Sequence, residues 1–149
     1  MSRAIDVALE GVRIPISRQR VAAIAEGVLK AERVGHALLS ITFVTSRRIA
    51  ALNREHLGHA GPTDVISFGF ARATDRDPVI GDIYICPDVA RAAAAARGIG
   101  IREELARLVV HGTLHILGYE HPETDARETS AMWKRQESLL ARLTRQVAT

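Results

Sequence analysis

Val110-His111-Gly112-Thr113-Leu114-His115-Ile116-Leu117-Gly118-Tyr119-Glu120-His121-Pro122 sets both the central helix of this chain and its candidate chemistry. The segment holds three of the six histidines, at i, i+4 and i+10, with a glycine at i+7. Imidazoles four apart on a helix share one face, with Cβ atoms about 6 Å apart. Both rings can then reach one ion at about 2.0–2.1 Å, the usual Zn–N distance. An uninterrupted helix would rotate His121 off that face. Gly118 removes the difficulty, because glycine adopts the left-handed conformation that ends a helix and turns the chain back. Pro122 then forbids immediate helical continuation. The spacing predicts a three-histidine metal site with an open fourth position.

A His-x-x-x-His pair is also what an ordinary polar helix face shows. The neighbours weigh against that: Leu105, Leu108, Val109, Val110, Leu114, Ile116 and Leu117 make the segment apolar nearly all round, which predicts burial. Buried imidazoles need partners, since an unpaired buried polar group costs about 1–3 kcal/mol. One shared ion satisfies three rings together. The ligand spacing also matches the His-Glu-x-x-His-x-x-Gly-x-x-His pattern of zinc proteases. Gly112 stands where that pattern carries its glutamate, the proton acceptor that such a peptidase requires. The ligand scaffold is present and the proteolytic base is absent.

The chain has 149 residues, 47% of them hydrophobic, which predicts one domain with a true core. No apolar run is long enough to span a membrane, and the first ten residues lack the apolar core of a signal peptide. The single cysteine, Cys86, excludes an internal disulfide, reads as a small buried residue and points to a cytoplasmic setting. The net charge of +3 is mildly basic and carried almost wholly by arginine, with Lys30 and Lys134 the only lysines. Arginine suits phosphate recognition, but a compositional bias of the genome produces the same excess.

Around the histidine segment the pattern alternates between strand and helix. Ile5, Val7 and Leu9 predict a first strand. Ser17 predicts the cap of a helix with Val21, Ile24, Ala25, Val28 and Leu29 on its buried stripe. Leu38–Thr45, Thr63–Phe70 and Val79–Cys86 predict three more strands, the last with a bulge at Gly81. Ser46 predicts the cap of a short helix ending near His56. Asp88 starts an alanine-rich helix that stops at Gly98, Ile101–Leu117 forms the central helix, and Thr124 or Asp125 starts a final one. In that last helix Met132, Trp133, Leu139, Leu140 and Leu143 are expected to face inward. The 72–78 stretch reads as a polar, mobile loop. The expected fold class is α+β: a single domain, residues 1–149, with a mixed four-stranded sheet packed by about five helices.

The remaining polar positions fall in loops. Asp64 and Asp82 read either as outer partners that orient a ligand imidazole or as turn residues. His36 and His59 read as ordinary exposed histidines, and nothing in the spacing of His56 requires it at the site. The six aromatics (Phe43, Phe68, Phe70, Tyr84, Tyr119, Trp133) are read mostly as core, which argues against extensive base stacking.

His111-Gly-Thr-Leu-His115-Ile-Leu-Gly-Tyr-Glu-His121 resembles the signature of the YbeY family. Leu52-Asn53, Pro62-Thr63-Asp64-Val65-Ile66-Ser67-Phe68 and Gly81-Asp82-Ile83 match its other segments in the same order. The resemblance implies a metal-dependent endoribonuclease acting on single-stranded RNA, in maturation of ribosomal RNA precursors at the 3′ end of the small-subunit RNA and in ribosome quality control. It implies that His111, His115 and His121 hold one zinc ion and that the ribosomal small subunit is a partner. Two departures stand out. Glu120 replaces the usual aspartate, and Leu57 occupies a loop position where many members carry an arginine thought to serve cleavage.

On this reading, Glu120 is a candidate for proton transfer and Arg54 for steadying the negative charge that develops on a phosphodiester. Two other functions stay open. One is a ribosome assembly or binding factor with a chiefly structural zinc, suggested by Leu57. The other is a metallopeptidase-like hydrolase, which Gly112 disfavours.

Overall fold

The structure is a computed structural model that describes residues 2–120 and 130–148. Strand β1 (Arg3–Leu9) leads through helix α1 (Arg18–Ala31) to β2 (Ala37–Phe43). Helix α2 (Ser46–Leu52) runs directly into a π-helical turn, Asn53–Leu57. Then come β3 (Val65–Phe70), β4 (Val79–Ile85), α3 (Pro87–Arg97), α4 (Ile101–Ile116) and α5 (Ala131–Ala148). The sheet order is β1-β2-β4-β3, with the first three strands parallel and β3 antiparallel at one edge. Among the described residues the expected α+β class, the mixed four-stranded sheet and about five helices are present.

Side-chain alternation divides the sheet into two faces. Ile41, Phe43, Ile83 and Ile85 meet α1, α4 and α5 in the main core, where every residue of the expected α1 stripe but Leu29 also lies. Leu29 is buried in a smaller cluster with Ala37, Leu39 and Val79. On the other face, α2 covers Ile66 with Val44, Ile49, Leu52 and Cys86. Leu38, Ile80 and Phe70 on that face stay exposed. Phe70, 56% exposed, lies outside the core, where most of the six aromatics were expected.

Several local expectations are corrected. Thr45, not Ser46, caps α2, its hydroxyl accepting from the Arg48 amide at 3.2 Å. Gly81 sits in unbroken register between Leu39 and Gly69, so it is no bulge. Its role is close approach: a Cβ there would lie 2.5–2.9 Å from the Ile116 side chain. Within the 72–78 stretch a turn forms in which Asp77 accepts from the amides of Ala73 and Thr74 at 3.1 and 2.9 Å. Positions 124 and 125 lie outside the described residues; α5 itself starts at Ala131, with the Ser130 hydroxyl accepting from the Trp133 amide. Trp133 is only partly buried, with the Arg97 guanidinium 5.5 Å from its ring centre.

Candidate metal centre

Helix α4 lies close on the sheet because large and small residues alternate across the contact. Gly112 receives Ile83 of β4, while Ile116, one turn on, sits over Gly81 and Gly69. Gly112 and Ile116 form the sheet-facing stripe of the helix. His111 and His115, rotated off it, emerge at the C-terminal end of α4, His115 exposed and His111 partly so. Burial of the helix therefore does not extend to both rings, as its apolar composition had suggested. The two imidazoles stack with centroids 6.5 Å apart and planes 21° apart.

Among the described residues each ring has a hydrogen-bond partner on a neighbouring element, Ser67 for His115 and Gln136 for His111. The Ser67 hydroxyl of β3 lies 3.1 Å from His115 Nδ1. It orients the ring without choosing its tautomer, since a hydroxyl can donate or accept. His111 Nδ1 lies 2.8 Å from Gln136 Oε1 of α5. Asp82 cannot serve, because its neighbour Ile83 faces α4 and alternation sends Asp82 to the opposite face of the sheet. Asp64 stands at the bend just before β3: its carbonyl accepts from the Cys86 amide, and its carboxylate accepts from Thr63. Cys86 itself is buried, as expected, with Sγ 3.5 Å from the Ser46 hydroxyl.

The chain leaves α4 as anticipated. Gly118 has φ +104°, and the Gly118 and Tyr119 amides close on the carbonyls of His115 and Leu114. The Tyr119 hydroxyl then donates to Glu32 at the end of α1 (2.8 Å), which Arg135 of α5 also contacts at 3.2 Å. The hydrogen bond to Glu32, with burial and the carboxylate's charge adding to it, raises the Tyr119 pKa above its ordinary value. Glu120 is exposed. His121 lies outside the described residues, and among the described residues no three metal-ligating side chains gather. The structure brings together two of the three expected ligands.

Arg54 is exposed on the π-helical turn, and Leu57 is 47% exposed at its end. His56 packs edge-on against Phe68 at 5.0 Å. Phe68 points away from the face on which its neighbour Ser67 meets His115, so His56 is not at the histidine pair.

Behind Gln136 stands a charge cluster that the sequence did not announce. Gln136 Nε2 donates to Glu137 at 3.0 Å. Arg107 donates twice to Glu137, both at 3.0 Å, and once to the buried Glu104 at 2.9 Å. The hydrogen bond to Glu137 is the main cause that raises the Arg107 pKa. Burial by itself would push Glu137 up, but the bonds from Arg107 and Gln136 and the Arg107 charge outweigh it, and its pKa is lowered. A depressed carboxyl adds stability that is complete above the ordinary glutamate pKa of about 4.3 and fades as pH falls through the lower folded value. Glu137→Gln is therefore expected to cost about 1–2 kcal/mol at neutral pH. Urea unfolding at falling pH should show the gap from the wild-type protein closing below the glutamate range.

The residues present fit a divalent ion. Gln136 presents an oxygen to His111 Nδ1, so that nitrogen carries the proton and the lone pair lies on Nε2, the form a metal takes.

The sequence profile of the endoribonuclease YbeY family matches residues 7–144. An endoribonuclease YbeY from Frankia casuarinae is 40% identical over 149 residues, covering 93% of this chain and 73% of that protein. One from Geobacillus kaustophilus is 42% identical over 113 residues, covering 70% of this chain and 71% of that protein. A solution structure from Thermotoga maritima superposes with a TM-score of 0.65 at 24% identity, covering 97% of this chain and 91% of that one, which shows a shared fold. With its profile, its relatives and its histidine helix in agreement, this chain belongs to the endoribonuclease YbeY family.

Proposed function

We propose that this chain is a zinc-dependent endoribonuclease that cuts single-stranded RNA. In the cell it would act in the cytoplasm on ribosomal RNA precursors and in ribosome quality control, at the small subunit. The observation that carries the reading is the His111–Gln136 hydrogen bond, which leaves one ring of a helical histidine pair in metal-ready form. His111, His115 and His121 would hold the ion. When bound, it supplies Lewis acidity at a phosphodiester oxygen and lowers the pKa of water toward about 7.

The chain's own residues do the rest. Ser67 and Gln136 hold the two rings from behind, on their Nδ1 sides. Glu120 is placed next to His121 in sequence to move a proton, and Arg54, exposed on its turn, to meet phosphate charge. The exposed Phe70 belongs to the face opposite Ser67, so it offers no stacking platform beside the histidines, and weak sequence preference is expected.

The test is cleavage of single-stranded RNA by chelator-stripped and zinc-reloaded protein, with product ends identified. Stripped protein should leave RNA whole, and reloading should restore cutting. RNA left uncut by the loaded protein would refute the reading. Leu57 favours a second reading: a ribosome-binding factor with structural zinc, for which RNA is bound but never cut. Among the described residues no helix is long and apolar enough to cross a membrane.

A further inference from the structure

Gln136 is 1% exposed, yet both ends of its amide are engaged. The Nε2 end donates to a carboxylate oxygen of Glu137, and a carboxylate only accepts. That settles which end faces His111. Oε1 then stands 2.8 Å from His111 Nδ1, and an amide oxygen has nothing to donate. The hydrogen in this contact belongs to the ring. Glu137 is itself clamped by the two bonds from Arg107, which is anchored to Glu104 one turn earlier on α4. The orientation of one histidine is thus set through α5 by charges on its own helix.

We propose that Gln136 is a positioning residue that locks His111 in the Nδ1–H tautomer and thereby sets the affinity of the histidine site for a divalent cation. The affinity half of this statement rests on the metal reading above. The tautomer half stands without it. An amide suits the task better than the carboxylate often found behind a metal-bound histidine. It fixes the same tautomer, but it adds no negative charge beside a site meant for an anionic phosphodiester. Glu137, the carboxylate behind Gln136, is itself paired with Arg107.

The experiment uses the whole chain, labelled with ¹⁵N and freed of metal, at a pH of about 8 where histidines are neutral. Long-range ¹⁵N–¹H spectra report which ring nitrogen carries the proton. Wild-type His111 should appear as Nδ1–H. Gln136→Met keeps the length and removes the acceptor. It should move His111 to Nε2–H, the form preferred in water, and weaken zinc binding about 10–100-fold by chelator competition. Gln136→Glu restores an acceptor for His111, at the loss of the donor to Glu137, and should return the Nδ1–H form. An Nε2–H signal in the wild-type protein overturns the proposal without any variant, which covers the case in which Gln136→Met fails to fold. Unchanged tautomer and affinity in Gln136→Met overturn it as well. If the tautomer switches while the wild-type chain binds no zinc, the metal reading falls, and the affinity claim with it.

Discussion

His115→Ala is expected to lower cleavage of single-stranded RNA by about a thousandfold or more, about 4 kcal/mol of lost transition-state stabilisation, while the fold survives. The ring is exposed at the end of α4, where it meets Ser67 and stacks on His111. Alanine is also the better helix former. Little of the core depends on this side chain, so thermal stability without metal should change by about 0.5 kcal/mol or less. On the proposed zinc reading the loss comes from the cation site, where removing one of three imidazoles would take away both affinity and the geometry that activates water. His36→Ala serves as the comparison: that ring lies 3.2 Å from the Ser2 carbonyl at the start of the sheet. Rates should be measured at high zinc and matched RNA. Cleavage by His115→Ala at near wild-type rate would place the chemistry elsewhere in the molecule.

Gly112→Glu should be the most damaging single change at the site, despite being the one that completes a protease-like pattern. Position 112 belongs to the stripe pressed onto β4, where a Cβ alone would lie 2.9 Å from Ile83 Cγ2 and 3.3 Å from Cδ1. Ile83 is fully buried and has no room to yield. Adding methylene groups costs about 1–3 kcal/mol through overpacking, and a carboxylate driven into this apolar contact adds a penalty for unpaired charge. The sum is about 4 kcal/mol or more, a large part of the stability of a typical domain. Urea unfolding should give a midpoint far below that of the wild-type protein, with no casein-cleaving activity gained. A well-folded Gly112→Glu protein would mean that α4 can lift off the sheet, contrary to the interlock of Gly112 with Ile83 and of Ile116 with Gly81.

Much of this architecture was legible in the residues. Among the described residues the four strands and the helices α1 and α4 lie where the pattern put them, because the buried stripes of α1 and α4 are long. The helical histidine pair and the turn at Gly118 were likewise written locally, in four- and seven-residue spacings. What escaped was contact at long range. Gln136 looks like any polar residue on an amphipathic helix, and nothing nearby in sequence announces that it reaches a ring 25 positions away. Ser67 reaches across 48 positions. Asp64 and Asp82 attracted attention because carboxylates often orient ligand histidines, but the alternation of β4 had already turned Asp82 aside. Arg107 pairs locally with Glu103 and Glu104 on α4, but its link to Glu137 forms only where α4 and α5 lie side by side.

The π-helical turn at Asn53–Leu57 makes one further point about how this protein can change. Such a turn is an α-helix carrying a surplus residue. It is fastened at both ends, by the Gly58 and His59 amides on the carbonyls of Arg54 and Asn53 and by the Asn53 side chain on the Gly61 carbonyl. Deleting one residue would re-phase the rest of the turn by about 100° and pull His56 from Phe68. The count of residues here is rigid, whereas the identity of the outward-facing Leu57 is not. Exchange of leucine and arginine at that position is structurally inexpensive in either direction, so descent can add or discard a guanidinium there without rebuilding the scaffold.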